Sequence, residues 1–225
     1  WIYQKEIMEN VFLIMVDPNF VTFRLLCEYL NVCIDKIPVN FQSMTLSGQF
    51  SYALMMSIMG GAVLAFPYIF YQLWSFVKPG LKFKERKMAK GIVFYVSILF
   101  FTGILFGYFV VAPLSVQFFG AFQITDKIRN DFTISSYMST ILSTVFYTGL
   151  FFLLPVVTYL LVKIGLFTPE FLVKYRKHAV VVILILAAII TPPDVISQVI
   201  VTIPIYLLFE ISVLVAKRVA KNQQE

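Results

Sequence analysis

Four side chains stand where charge or hydrogen bonding is conspicuous: Glu85, Asp194, Gln198 and Glu210. Glu85 is the only acid in FVKPGLKFKERKMAK, among Lys78, Lys82, Lys84, Arg86, Lys87 and Lys90. Spacing alone makes it a surface salt bridge, worth about 0–1 kcal/mol. Asp194 follows Pro192 and Pro193 in LAAIITPPDVISQVI. There it can N-cap the next helix, accepting free amides at the positive end of the dipole, and Gln198 lies about one turn further on. Glu210 sits inside an apolar run, where a lone carboxylate costs on the order of 3 kcal/mol unless it meets water or a partner. Alternatively it snorkels to an interface, with Lys217 two turns later on the same face.

No set of residues for covalent or metal chemistry accompanies them. His178 is the single histidine, and Cys27 and Cys33 are the only cysteines, too few for a Cys/His metal site. The two cysteines read as small buried apolar thiols in preference to a disulfide. The chain has no G-x-x-x-x-G-K-[ST] loop, H-E-x-x-H pair or G-x-S-x-G elbow. The expectation is therefore neither an enzyme nor an ATP-driven pump, with no cofactor.

The elements that hold these residues are written in the composition. Sixty per cent of the residues are apolar and 13% charged, with a mean hydropathy of +0.85; an ordinary soluble domain has roughly 45–50% and about 25%. This composition belongs to an all-α, polytopic helical membrane protein, because a helix satisfies its own backbone in lipid. Uncharged runs predict spans over 51–77, 91–112 and 134–162, each long enough for a hydrocarbon layer of about 30 Å. The run 179–216 holds two spans only if it turns back, and Thr-Pro-Pro-Asp is a strong turn signal. Spans at 175–190 and 195–216 around a turn at 191–194 bring the total to five.

Charge asymmetry orients them. The segments 78–90, 163–178 and 217–225 carry 13 Lys/Arg, against five in 1–50, 113–135 and 191–194. Basic residues collect in cytoplasmic loops. That places the N-terminus of this chain outside, the loops 78–90 and 163–174 and the tail 217–225 in the cytoplasm, and the loop 113–133 and the turn 191–194 outside. Clustering beside apolar runs also makes nucleic-acid binding a poor account of the net charge of +6.

Residues 1–50 contain amphipathic stretches, 5–15 and 20–30, too short and polar to cross, and form an extracytoplasmic helical cap. Pro67, Pro113, Pro155 and Pro204 predict kinked spans whose freed carbonyls need neighbours or hydroxyls. Gly103 and Gly107 make a G-x-x-x-G pair that serves either intrachain packing or a dimer face. The span 175–190 holds 16 residues, about 24 Å, short of the hydrocarbon thickness. It must thin the bilayer or expose polar groups, which draws Asp194 and Gln198 below the normal outer interface.

Four stretches, FPYIFYQLWSFVKPGLKFKER, GYFVVAPL, GLFTPEFLVKYRKHAVV and TPPDVISQVIVTIPIYLLFEISV, together resemble the TatC family, the polytopic receptor subunit of twin-arginine protein translocases. The resemblance runs nearly without gaps from Phe50 to Arg218. The family has six spans with both termini in the cytoplasm, so five spans match it if the first span and its preceding helix lie outside this chain. It implies a bacterial inner-membrane protein that binds twin-arginine signal peptides of folded cargo at the cytoplasmic face. It further implies work with TatA-like and TatB-like single-span partners, self-association in a larger complex, and use of the proton-motive force.

By this resemblance Glu85 matches the first-loop glutamate implicated in reading the arginine pair, a charge-assisted fork worth roughly 1.5–3 kcal/mol. Phe76, Pro79 and Leu81 match positions that shape the same patch, and the surrounding lysines anchor the loop to anionic headgroups. Partner helices would dock at the thin edge formed by Asp194, Gln198 and Glu210. Two departures stand out. The family's N-terminal half of the signal-peptide site lies outside this chain, and Leu153 replaces a glutamate before Pro155, with Thr144, Tyr147 or Thr148 as candidate substitutes. The alternative reading is a polytopic secondary transporter or channel, which would show two related halves and a polar midplane site. No convincing internal repeat is present, and the buried charges cluster in one hairpin.

Overall fold

The computed structural model describes residues 3–30, 40–44, 46–77, 91–122, 131–163, 165–190 and 195–224. The chain opens with a helical ribbon that changes pitch twice. It runs from α1 (Gln4–Ile7) through a π turn (Met8–Phe12) to a 3-10 turn (Leu13–Val16), and α2 (Val21–Leu30) follows. Four helical stretches among the described residues are long and apolar enough to cross a membrane: Gly48–Phe76, Ile92–Ala121, Ile134–Val162 and Gln198–Arg218. The first lies in α3 (Gly48–Val77) and the last in α10 (Val195–Gln224). The second is α4 (Ile92–Phe106), a π turn (Gly107–Val111) and α5 (Ala112–Ala121); the third is α6 (Ile134–Phe151) and α7 (Leu154–Lys163). Two shorter helices, α8 (Pro169–Lys174) and α9 (Arg176–Ile190), complete the set.

Pro67 and Pro204 lie inside the unbroken helices α3 and α10, while Pro155 and Pro113 show two ways of accommodating a missing amide. Pro155 sits at the second position of α7, just past a break at Phe152 and Leu153. Pro113 is accommodated differently. The helix runs on for eight residues beyond it, to Ala121, because the π turn before it shifts the ladder. In an α-helix an amide at 113 would meet the carbonyl of Phe109. That carbonyl accepts from the Thr22 hydroxyl on α2 instead. A residue of the cap thus repairs a span.

Further bonds of this kind hold the cap. Tyr108 donates its hydroxyl to the Val11 carbonyl at 2.7 Å, and Tyr137 donates to the Phe12 carbonyl at 2.6 Å. Both acceptors lie where the ribbon passes from π to 3-10 pitch and its regular bonding lapses. Beneath them Phe12, Met15, Phe20 and Phe23 of the cap share one core with Met56 of α3 and Met138 of α6.

The spans themselves meet through small residues. A Cβ on Gly103 would lie 2.8 Å from Phe152 and 2.9 Å from the Gly149 Cα; one on Gly107 would lie 2.9 Å from the Val145 Cα. Between lipid-facing helices apolar burial gives little drive, so close backbone approach supplies the attraction. The G-x-x-x-G pair is therefore used inside the subunit, between α4 with its π turn and α6.

Two features depart from the sequence reading. Asn40–Gln42 (β1) pairs in parallel with Asp131–Thr133 (β2), a two-stranded exception in an otherwise helical fold. Its hydrogen-bond pattern is backed by Gln42, whose amide donates to Asp131 at 3.2 Å. Cys27, expected as a buried free thiol, is disulfide-bonded. It is only half-buried on α2, outside the four long helices, so apolar packing does not protect it from oxidation; Cys33 lies outside the described residues.

Candidate docking edge

The turn from α7 to α9 is set by local chemistry. Gly165, with φ of 79°, ends α7 in the left-handed conformation. Leu166 donates to the Leu161 carbonyl at 2.9 Å and Gly165 to Val162 at 3.0 Å, the paired bonds of a Schellman motif. Thr168 then caps α8, accepting from the Phe171 amide at 3.2 Å, with Pro169 at the first helical position. This delivers Arg176 to the start of α9.

Helix α9 has 15 residues, about 22 Å at 1.5 Å per residue. The expected fifth span is thus a helix several ångströms shorter than a hydrocarbon layer of about 30 Å. It lies antiparallel to α10, around a core of Ile183, Ala187, Val201 and Ile205 that also takes in Val111 of the π turn.

Two polar ties join α9 to α10. In the first turn of α10, Gln198 donates its side-chain amide to the Leu184 carbonyl at 3.0 Å. At the other end, the Arg176 guanidinium meets Glu210 at 2.8 Å, and Tyr206 donates its hydroxyl to the second carboxylate oxygen at 3.0 Å. Both charged side chains keep some exposure, 38% for Arg176 and 28% for Glu210. The Arg176 Nε is buried without a partner among the described residues.

Glu210 therefore has a partner from α9, one that the sequence reading did not name. The signal was available: Arg176 and Glu210 are each 17 positions from Pro193, so a hairpin folded there sets them opposite one another. A second overlooked pattern is Gln198, Thr202, Tyr206 and Glu210, four polar residues at intervals of four. Such spacing keeps them on one slowly turning face of a helix. Thr202 donates to the Gln198 carbonyl at 2.7 Å, which holds its hydroxyl within α10.

The remaining predicted residues divide. Phe76, the penultimate residue of α3, has 86% of its surface exposed. Glu85, Pro79, Leu81 and Asp194 lie outside the described residues. Of the candidate substitutes for the missing glutamate, Thr144 and Thr148 are buried, and Thr148 donates to the Thr144 carbonyl at 2.7 Å. Tyr147 is exposed.

Membrane-length helices, an irregular cap and a short polar-tied hairpin define a multi-pass helical membrane protein with no grouping of catalytic side chains among its described residues. The family model for the Sec-independent protein translocase protein TatC matches residues 1–204, and the chain belongs to that family. It is accordingly a translocase component, not an enzyme. It is 41% identical over 185 residues to the TatC of a Blattabacterium from Periplaneta americana, covering 82% of this chain and 70% of that one. It is 38% identical over 218 residues to the TatC of Carboxydothermus hydrogenoformans, covering 95% and 89%. A crystal structure of the twin-arginine translocase receptor TatC in DDM superposes with a TM-score of 0.71 at 30% identity, over 96% of this chain and 89% of that one. A second receptor structure gives 0.68 at 32% identity, over 97% and 96%.

Proposed function

We propose that this translocase subunit is the receptor for twin-arginine signal peptides of folded cargo, and that it gathers TatA-like and TatB-like single-span partners for export driven by the proton-motive force. The observation that carries the reading is the likeness to twin-arginine receptor structures over nearly the whole chain. Glu85 is the residue that reads the arginine pair, as the one acid among six basic residues in its loop; Phe76, Pro79 and Leu81 shape the patch. A carboxylate accepts the two parallel donors of a guanidinium fork. Crosslinking of a twin-arginine signal peptide to the full-length protein tests this. Glu85→Gln should cut labelling about tenfold or more, and undiminished labelling would remove the role.

The protein lies in the bacterial inner membrane with five spans in this chain, its cap outside and its C-terminus in the cytoplasm. The bias of 13 Lys/Arg against five supports this orientation. So does the bonded state of Cys27 on the cap, since disulfides persist in oxidising compartments. Partner helices dock along the α9–α10 edge at Asp194, Gln198 and Glu210. The Gln198 amide nitrogen is engaged by Leu184, which favours a partner whose side chain donates to the remaining carbonyl oxygen. Site-specific crosslinks from position 198 to a single-span partner are expected. Their absence, with crosslinks forming elsewhere on the chain, would count against the edge.

A further inference from the structure

The proposed receptor function leaves one groove unused. It is about 430 Å³ in volume and lies between the start of α4, α7 and the later half of α10. Tyr95, Leu99, Pro155, Leu208, Ile211 and Val215 line it. The three α10 residues fall at i, i+3 and i+7 on one stripe of that helix, and the next residue of the stripe, at i+10, is Arg218. Arg218 and its neighbour Lys217 are exposed. The only ion pair among the described residues is Arg176–Glu210, so both cations stand unpaired there. The apolar trough thus ends, about one turn past Val215, in free positive charge.

We infer that this groove holds one acyl chain of an anionic phospholipid, with its phosphate on Arg218. Hydrocarbon is the natural filling of an apolar trough on a membrane-spanning surface. A single extended chain is slender enough to enter this trough between α4, α7 and α10. Charge selects the headgroup, because a guanidinium meets a phosphate through two parallel donors and basic residues beside a membrane favour anionic lipid. The site depends on neither Glu85 nor the α9–α10 edge, so it stands or falls apart from the receptor reading.

Native mass spectrometry of the delipidated full-length protein tests it, titrated with phosphatidylglycerol and with phosphatidylcholine of the same chains. One phosphatidylglycerol is expected to be retained in preference. Ile211→Trp, which fills the trough, should abolish retention of that lipid. Arg218→Gln should weaken phosphatidylglycerol about fivefold, towards the phosphatidylcholine level. Ile203→Trp, on an exposed part of α10 away from the groove, should leave retention unchanged. Equal retention of both lipids by the unaltered protein, undiminished preference in the Ile211 and Arg218 variants, or equal loss in the Ile203 control would overturn the site. So would a photocrosslinker at position 208 that captures a protein helix and no lipid.

Discussion

The capped end and the α9–α10 hairpin are held together by different chemistry. At the cap, four large apolar side chains are buried, and neutral hydroxyls donate to carbonyls that irregular helix leaves open. No charge is spent there. At the hairpin the core is smaller-grained, with Ala187 and two valines among its residues, and the ties include a half-exposed ion pair. A neutral, saturated contact resists exchange, whereas a polar tie that keeps exposure leaves lone pairs for a visitor. The first suits a fixed lid, and the second meets what the proposed docking of partners requires.

Substitutions should separate the two. Phe23→Ala empties a site only 2% exposed and should cost about 3–5 kcal/mol. Thermal unfolding in detergent would register it, and a melt unaltered from the parent protein would show that the cap is no core. Glu210→Ala strands Arg176 in part and should cost about 2 kcal/mol, discounted from a fully buried pair by the exposure of both groups. Replacing both residues with Leu should recover most of that loss; a double-mutant cycle with no coupling would mean the tie is ornamental.

Tyr137→Phe leaves the Phe12 carbonyl without its donor and should cost about 1–1.5 kcal/mol, with partner crosslinking at position 198 undisturbed. Gln198→Leu should shift stability least, by about 0.5–1 kcal/mol, yet suppress crosslinking to the partner from position 194. If the order inverted, so that cap variants lost partners while hairpin variants lost only stability, the contrast between the two regions would be false.

Much of this was legible in the chain, for reasons that differ by residue. The helical class follows from hydropathy, since lipid offers no partner to an unpaired amide. The return of α10 against α9 was expected from Thr-Pro-Pro-Asp, a sequence that disfavours continuous helix for local reasons. The Arg176–Glu210 tie was half legible: counting outward from Pro193 would find it, but hydropathy drew attention to Lys217 on the same helix. The bonding of Thr22 to Phe109 was illegible. It needs a π turn in one segment to coincide with a hydroxyl 87 positions away, and neither carries a pattern by itself. Cys27 misled because composition makes a small apolar thiol of any cysteine in such a chain, while its half-buried place on α2 exposes it to oxidation.

The sequence by itself determined which stretches are apolar enough for hydrocarbon and where positive charge collects; five spans were expected, and the described residues hold four membrane-length helices and the shorter α9. These are properties of single segments, set by side-chain transfer and by backbone bonding within one helix. Only the tertiary structure decided that the glycine pair packs inside the subunit, that a cap threonine completes a span, and that Glu210 meets Arg176. Those are relations between distant segments, and their energy appears only when two surfaces approach within bonding distance.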